Sequence, residues 1–131
     1  MGIELSDKAK GLLKGKNFAN VATTRKDGSP QVSPIWVDFD GKHVILNSEQ
    51  KRAKVRNLKR DPRVSISVFD QANPYSYVQI QGRVVEITPN GGFEGIDKMS
   101  QKYGGPEKYP GNQPGDVRIV IKIEPLKETG Q

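Results

Sequence analysis

The residues best equipped to meet a ligand lie in one run, SEQKRAKVRNLKRDPR, Ser48 to Arg63. Between Lys51 and Arg63 it carries seven basic residues (Lys51, Arg52, Lys54, Arg56, Lys59, Arg60, Arg63) against the single acid Asp61. The whole chain holds 21 basic and 15 acidic residues, a net charge of +6, which leaves 14 of each sign outside the run and no excess there. No acid stands four residues from any of these cations, so nothing on the run offsets their mutual repulsion. The apolar strand VILN leads into it, and a helix starting near Ser48 and Glu49 would turn its free N–H groups and positive dipole end toward an anion. Arg52 and Lys54 would add charge-assisted bonds to phosphate oxygens, and Ser48 a hydroxyl. One compact phosphate suits such a corner.

Other anions suit it less well, and a plain solvated helix face is the remaining alternative. Nucleic acid asks for stacking or base-reading groups beside the charge. The run has no aromatic residue from Lys51 to Arg63, no zinc ligands and no helix-turn-helix partner, so no nucleic-acid partner is expected. A membrane surface asks for a bulky apolar face, and the run offers only Ala53, Val55 and Leu58. Nowhere is there a stretch of ~18 apolar residues, and charges run throughout MGIELSDKAKGLLKGK, so a soluble cytoplasmic protein with no membrane association is expected.

Reactive side chains are scarce. The chain has no cysteine, which excludes disulfides, thiolate nucleophiles and cysteine metal sites, and no metal is expected. Its one histidine, His43 in DGKHVIL, lies on the way into a strand and reads as an ordinary strand residue. No catalytic residue is assigned. An enzyme so equipped depends on a bound cofactor for its reactive atom and uses the protein to position it.

The elements around the basic run are mostly strands. LSDKAKGLLKG starts at the N-cap candidate Ser6 and sets Leu5, Ala9, Leu12 and Leu13 on one helical face, ending at Gly15. Strands follow from Phe18 to Thr24, Gln31 to Asp38 and His43 to Asn47, with Asp27-Gly28 and Asp40-Gly41 as hairpin turns. Pro34 removes a donor within the second strand and predicts a bulge or an edge position there. Beyond the run, RVSISVFD alternates, YSYVQIQGRVVEI alternates and changes phase at Gly82, and VRIVIKIE alternates most cleanly. A glycine at a phase change marks the bend that closes a sheet into a barrel. GFEGIDKMSQKY spaces Phe93, Ile96, Met99 and Tyr103 as a helical face, and the loop GGPEKYPGNQPGD after it is long enough to be a lid.

Six strands, two or three short helices and no βα alternation predict a mainly β, α+β fold: one domain spanning residues 1–131, an antiparallel barrel with helices at its ends. Apolar residues make up 34% of the chain, below the ~45–50% usual when glycine is counted too. So small a core favours oligomerisation.

QKRAKVRNLKRDPRVSISV after a strand, GSPQVSPIWVDFDG before it and YVQIQGRVVEITP after it resemble the pyridoxamine 5'-phosphate oxidase-like split-barrel family, and within it the actinobacterial group that uses the deazaflavin coenzyme F-420. The likeness runs over almost the whole chain, RAKxRNLxRDPR being its most specific part. It implies a homodimer of six-stranded split barrels with a flavin or deazaflavin in a groove between subunits. It carries the coenzyme phosphate to Arg52, Ala53 and Lys54, Ala53 through its backbone. The ring system goes to Ser33, Pro34, Ile35 and Trp36, and the ribityl path to Asn47 and Ser48. Tyr77 and Val78 are expected to face the groove from the fifth strand, and Lys102, Tyr103 and the loop to Gly115 to cover the substrate. Each has an ordinary reading as well: Trp36 as core or interface, Tyr77 as a cross-strand packing partner.

FMN and F-420 both carry a ribityl phosphate, so Arg52 and Lys54 serve either. F-420 adds an acidic tail that the surplus of lysine and arginine would attract. The second basic cluster needed for a phosphorylated oxidase substrate is missing, and Ala53 stands where the oxidases more often carry a basic residue. The resemblance therefore implies an oxidoreductase passing hydride from reduced F-420 to an enone, quinone or tetrapyrrole-like acceptor, with Tyr77, Tyr103 or solvent as proton donor. An FMN enzyme is the alternative, and so is a non-catalytic carrier of a flavin, deazaflavin or haem-like ligand.

Overall fold

The computed structural model describes residues 2–130. Seven strands form one antiparallel sheet, β1 (Ala19–Thr24), β2 (Pro30–Ile35), β3 (Val37–Phe39), β4 (Val44–Glu49), β5 (Arg63–Asp70), β6 (Asn73–Thr88) and β7 (Arg118–Gly130). Three helices accompany it, α1 (Asp7–Lys14), α2 (Ala53–Arg60) and α3 (Gly92–Lys102). The strand order is β2-β1-β5-β6-β7-β4-β3.

That order forces the sheet to curl. β2 and β3 are its two edges, yet Trp36 alone separates them in the chain. Seven flat strands would set the edges about 29 Å apart, at ~4.8 Å per gap. One residue spans only ~3.5 Å. The sheet therefore wraps into a half-barrel whose edges meet at Trp36. The expected strand from Gln31 to Asp38 is divided at that point, which makes the strands seven instead of six. Pro34 sits on the edge strand β2, where a missing N–H leaves no ladder bond unmade.

The inside of the curl holds the core: Val21, Leu46, Ile66, Ile80, Ile121 and Ile123 are all essentially inaccessible. The alternation of β1, β5 and β7 supplies it. Gly82 lies at a register shift between β6 and β7, and a Cβ there would stand 2.6 Å from Ile123 Cγ2 and 2.7 Å from the Glu124 carbonyl oxygen. Only glycine lets the strands approach so closely at the bend. Gly28 and Gly41 turn with positive φ, and Asp27 and Asp40 accept from the backbone N–H groups two residues on, as the turn motifs predict. The Ser6 hydroxyl caps α1 by accepting from Ala9 N–H, and Leu5, Ala9, Leu12 and Leu13 bury against the sheet.

Two elements differ from expectation. β4 runs on through Glu49, and α2 starts only at Ala53 with Arg52 as its N-cap residue, so Ser48 and Glu49 are strand residues. α3 buries Gly92, Ile96, Met99 and Ser100 and leaves Phe93 46% exposed. The reason is contact distance: a Cβ on Gly92 would overlap the Arg118 carbonyl, and one on Gly95 would lie 3.1 Å from Asn47 Nδ2. The glycines, not Phe93, make the face that lies on β4 and β7.

Candidate functional site

A cleft of about 410 Å³ opens where the two sheet edges meet, a volume in the range of small-molecule sites. One wall is the end of β2, with Ser33, Pro34 and Ile35, continued by Trp36 and Phe18. Asn47, Ser48 and Glu49 of β4 form its floor. Ile96 of α3 and Tyr109 of the following loop cover it, and Arg52, Lys54 and Arg118 close one end.

The aromatic wall is ordered by stacking. The Trp36 and Tyr103 rings lie nearly parallel at 5.0 Å, Phe18 stacks on the same tyrosine at 5.7 Å, and Tyr109 meets Trp36 edge-on at 5.7 Å. Such a wall offers a flat π-surface to a planar ligand.

The three cations of the far end differ in depth: Arg118 is buried, Lys54 half-buried and Arg52 exposed. Arg118 is only 9% exposed; its Nε donates to Asn47 Oδ1 at 3.0 Å and its guanidinium lies over the Tyr109 ring at 5.3 Å. Asn47 is fixed in turn by donating to the Gly92 carbonyl at 2.8 Å. Burial pushes the Arg118 pKa down, although a guanidinium stays charged. Lys54 is also pushed down, first by burial and then by the charges of Arg52 and Arg118. None of the three cations makes an ion pair among the described residues. The nearby carboxylate of Glu49 is engaged by backbone, accepting from Val117 N–H at 2.9 Å and Lys51 N–H at 2.7 Å, and these bonds hold it below the usual range. Three converging positive charges in a partly desolvated corner await an anion. The buried Ser33 hydroxyl, lining the same cleft, has no hydrogen-bond partner among the described residues. This donor set fits a flat, phosphate-bearing molecule.

The chain matches the family model "Pyridoxamine 5'-phosphate oxidase" over residues 5–130. It belongs to the pyridoxamine 5'-phosphate oxidase family. Among solved structures, an F-420 reductase is 33% identical with a TM-score of 0.85, covering 97% of this chain and 100% of its own. A conserved hypothetical protein of Mycobacterium tuberculosis is 23% identical, TM-score 0.74, over 97% of this chain and 84% of its own. HupZ of Group A Streptococcus is 20% identical, TM-score 0.68, over 95% and 97%. The last two establish the split-barrel fold of this oxidase-family chain and no more.

Of the residues singled out in the sequence, the cleft brings together Ser33, Pro34, Ile35, Trp36, Asn47, Ser48, Arg52 and Lys54. Ala53 faces instead a separate basic hollow with Arg25, Lys26, Arg56 and Arg60. Val78 is a core residue, 2% exposed, and Tyr77 pairs across strands with Phe69, so neither lines the cleft of a single chain. Lys102 and Tyr103, expected over the substrate, are tied down behind the aromatic wall by backbone groups; from that segment it is Tyr109 that lines the cleft.

Arg118 is the residue that pattern reading missed. In VRIVIKIE the alternation assigns Val117, Ile119, Ile121 and Ile123 to the core and so puts Arg118 on the opposite, outer face. That face is covered here by α3, and β4 shows the same thing, its last four residues all being buried. The available signal was the polar LNSE end of a strand facing another strand that starts with arginine.

Proposed function

We propose that the chain is a cytoplasmic oxidoreductase that binds the deazaflavin coenzyme F-420 and reduces an enone, quinone or tetrapyrrole-like acceptor. The observation that carries this reading is the end of the cleft, where Arg52, Lys54 and Arg118 converge beside an aromatic wall with no ion pair among the described residues. Arg52, Lys54 and Arg118 would hold the coenzyme phosphate by charge-assisted bonds. Ser33 Oγ and the backbone of Pro34 and Ile35 would meet the polar edge of its ring system, and Trp36 would flank that ring. Bound F-420 supplies hydride chemistry without readily passing single electrons to oxygen.

Support for F-420 over FMN comes from the 33%-identical F-420 reductase; Arg56, Lys59 and Arg60, on the helix leading away from the phosphate corner, would act only by steering the coenzyme's acidic tail on approach. A homodimer is part of the proposal: Val32 is 65% exposed and Tyr75 80% exposed on the sheet, and a second copy is what could bring Tyr77 to a groove. Light scattering on the purified protein measures this directly.

The deciding experiment is titration with oxidised F-420 and FMN side by side, followed by anaerobic mixing of the reduced F-420 complex with enones, quinones and biliverdin. Tighter F-420 binding and oxidation of the coenzyme by one acceptor class are expected. Tight FMN binding with none for F-420 would overturn the cofactor. Binding without turnover by any acceptor favours a carrier, a reading kept in view because the Tyr103 hydroxyl is engaged by backbone and cannot serve as a proton donor in the cleft.

A further inference from the structure

The barrel seam at Trp36 leaves backbone groups that no strand pairs, and two side chains of α3 and its C-cap take their place. The Tyr103 hydroxyl accepts from Val37 N–H at 3.0 Å and donates to the Asn17 carbonyl at 2.7 Å, with the Val37 carbonyl 3.1 Å away. Lys102 Nζ donates to the Val37 carbonyl at 2.5 Å and to the Leu13 carbonyl, at the end of α1, at 2.6 Å, with Asp38 Oδ1 3.6 Å away. Four backbone groups from α1, the entry to β1 and the start of β3 are thus gathered by adjacent residues of one helix end. Trp36 and Phe18, both of which line the cleft, each stack on the same tyrosine ring.

We infer that Tyr103 is the positioning residue of the cleft: its hydroxyl closes the seam beside Val37, and the ring so held fixes the plane of Trp36 against which a planar ligand lies. Sealing and positioning are coupled because Val37 follows Trp36 directly, so a backbone released at 37 frees the indole at 36. Lys102 donates to carbonyls of the same seam and so ties the end of α3, whose Asp97 accepts from Tyr109 N–H, to α1 and β3. Burial pushes the Tyr103 phenol upward, away from neutral titration, and keeps its proton available for Asn17. The positional part stands on the protein alone; its effect on coenzyme affinity rests on the reading of the cleft as a coenzyme site.

Trp36 is the only tryptophan of the chain, so its fluorescence reports this one place. Tyr103→Phe keeps the stack and removes one oxygen; Thr23→Val removes a buried hydroxyl, bonded to Gln31 and Asn57, near the turn end of the β1–β2 hairpin. Tyr103→Phe is expected to raise acrylamide quenching of Trp36 about twofold and to lower its anisotropy, with coenzyme affinity down about tenfold, the equivalent of roughly one lost hydrogen bond. Both variants are expected to lower Tm, and Thr23→Val to leave Trp36 quenching, anisotropy and coenzyme affinity unchanged. Lys102→Met, which leaves the tyrosine in place, should move the Trp36 signal in the same direction by less. Unchanged Trp36 quenching in Tyr103→Phe, or an equal change in Thr23→Val, would overturn the inference. Failure of the wild type to bind F-420 or FMN would overturn the functional reading while the Trp36 comparison still decides the positioning role.

Discussion

Two basic clusters lie within a few residues of each other on this chain, and they differ in what their charges are doing. The outer one surrounds the first hairpin and the exposed side of α2. There Arg60 donates to the Thr24 carbonyl and Asn57 Oδ1, Arg25 to the Pro30 carbonyl and Arg56 to the Lys51 carbonyl. Arg63 forms a forked pair with Asp61. The inner cluster has fewer charges, none of them paired with a described acid, and runs from the exposed Arg52 through the half-buried Lys54 to the buried Arg118. Density of charge is greatest in the run from Ser48 to Arg63, but position at the cleft is what separates Arg52 and Lys54 from its other basic members. An exposed cation with a carbonyl partner is near neutral in energy, whereas a buried unpaired one costs stability unless an anion arrives.

Removing the deepest inner cation tests this contrast most severely. Arg118→Ala should weaken F-420 binding about 100-fold, near the upper end of what a charged hydrogen-bonding partner contributes. It also frees Asn47 Oδ1 and the Tyr109 ring, so Arg118→Lys is the sharper companion. Lysine keeps the charge but loses the fork and the flat face over Tyr109, and an intermediate loss is expected. Isothermal titration calorimetry on both variants measures it. Affinity unchanged in Arg118→Ala would mean the phosphate lies elsewhere.

Lys54 separates stability from binding. Lys54→Met removes a charge disfavoured by burial and by two neighbouring cations, so Tm of the free protein should rise while F-420 affinity falls about 30-fold. The pH dependence carries the same sign. In the free protein the Lys54 pKa is pushed below its ordinary 10.5, and a bound phosphate pulls it back up. Affinity is therefore complete below the lowered pKa and declines as pH rises through it, while the free protein gains stability over the same interval. Titrations across the alkaline range should show this limb in the wild type and not in Lys54→Met.

How much of this was readable beforehand follows from what kind of signal each part leaves. The hairpin glycines, the core face of α1 and the alternation of β5 and β7 were legible, because period and turn chemistry are local. Most of the cleft was legible too, since Ser33 to Trp36, Asn47, Ser48, Arg52 and Lys54 sit in contiguous motifs. The break of the second strand at Trp36 was not, because it arises from sheet closure, a property of all seven strands together. Arg118 and the glycine face of α3 were hidden for a related reason: each is defined by the element lying on it, and a glycine that permits contact leaves no hydrophobic mark.

The outer cluster should respond differently. Replacing Arg56 and Arg60 together with Gln should change affinity by no more than about twofold at 0.15 M salt, because exposed charges beyond a Debye length of ~8 Å are screened. At 10 mM salt the Debye length grows to ~30 Å, and the variant's association rate should then fall below that of the wild type. Stopped-flow binding at the two salt concentrations measures the difference. A large loss at 0.15 M would show the outer cluster to be a binding surface in its own right, no different in role from the inner one.

The smallest effect on binding is expected at Asp61, the one acid in the run. Its pair with Arg63 lowers its pKa from the ordinary 3.8 to about 2. The folded state thus holds fewer protons than the unfolded state between those two values, so the contribution is complete above 3.8 and lost as pH falls toward 2. Thermal unfolding of Asp61→Asn and wild type should give curves that part above about pH 4 and converge near pH 2, with the separation small because the Arg63 side of the pair is exposed to solvent. Coenzyme affinity at pH 7 should not change in this variant. If it shifted as it does in Arg118→Ala, the ion pair would be part of the binding machinery, and charge paired in the free protein could no longer be set apart from charge held in reserve for a ligand.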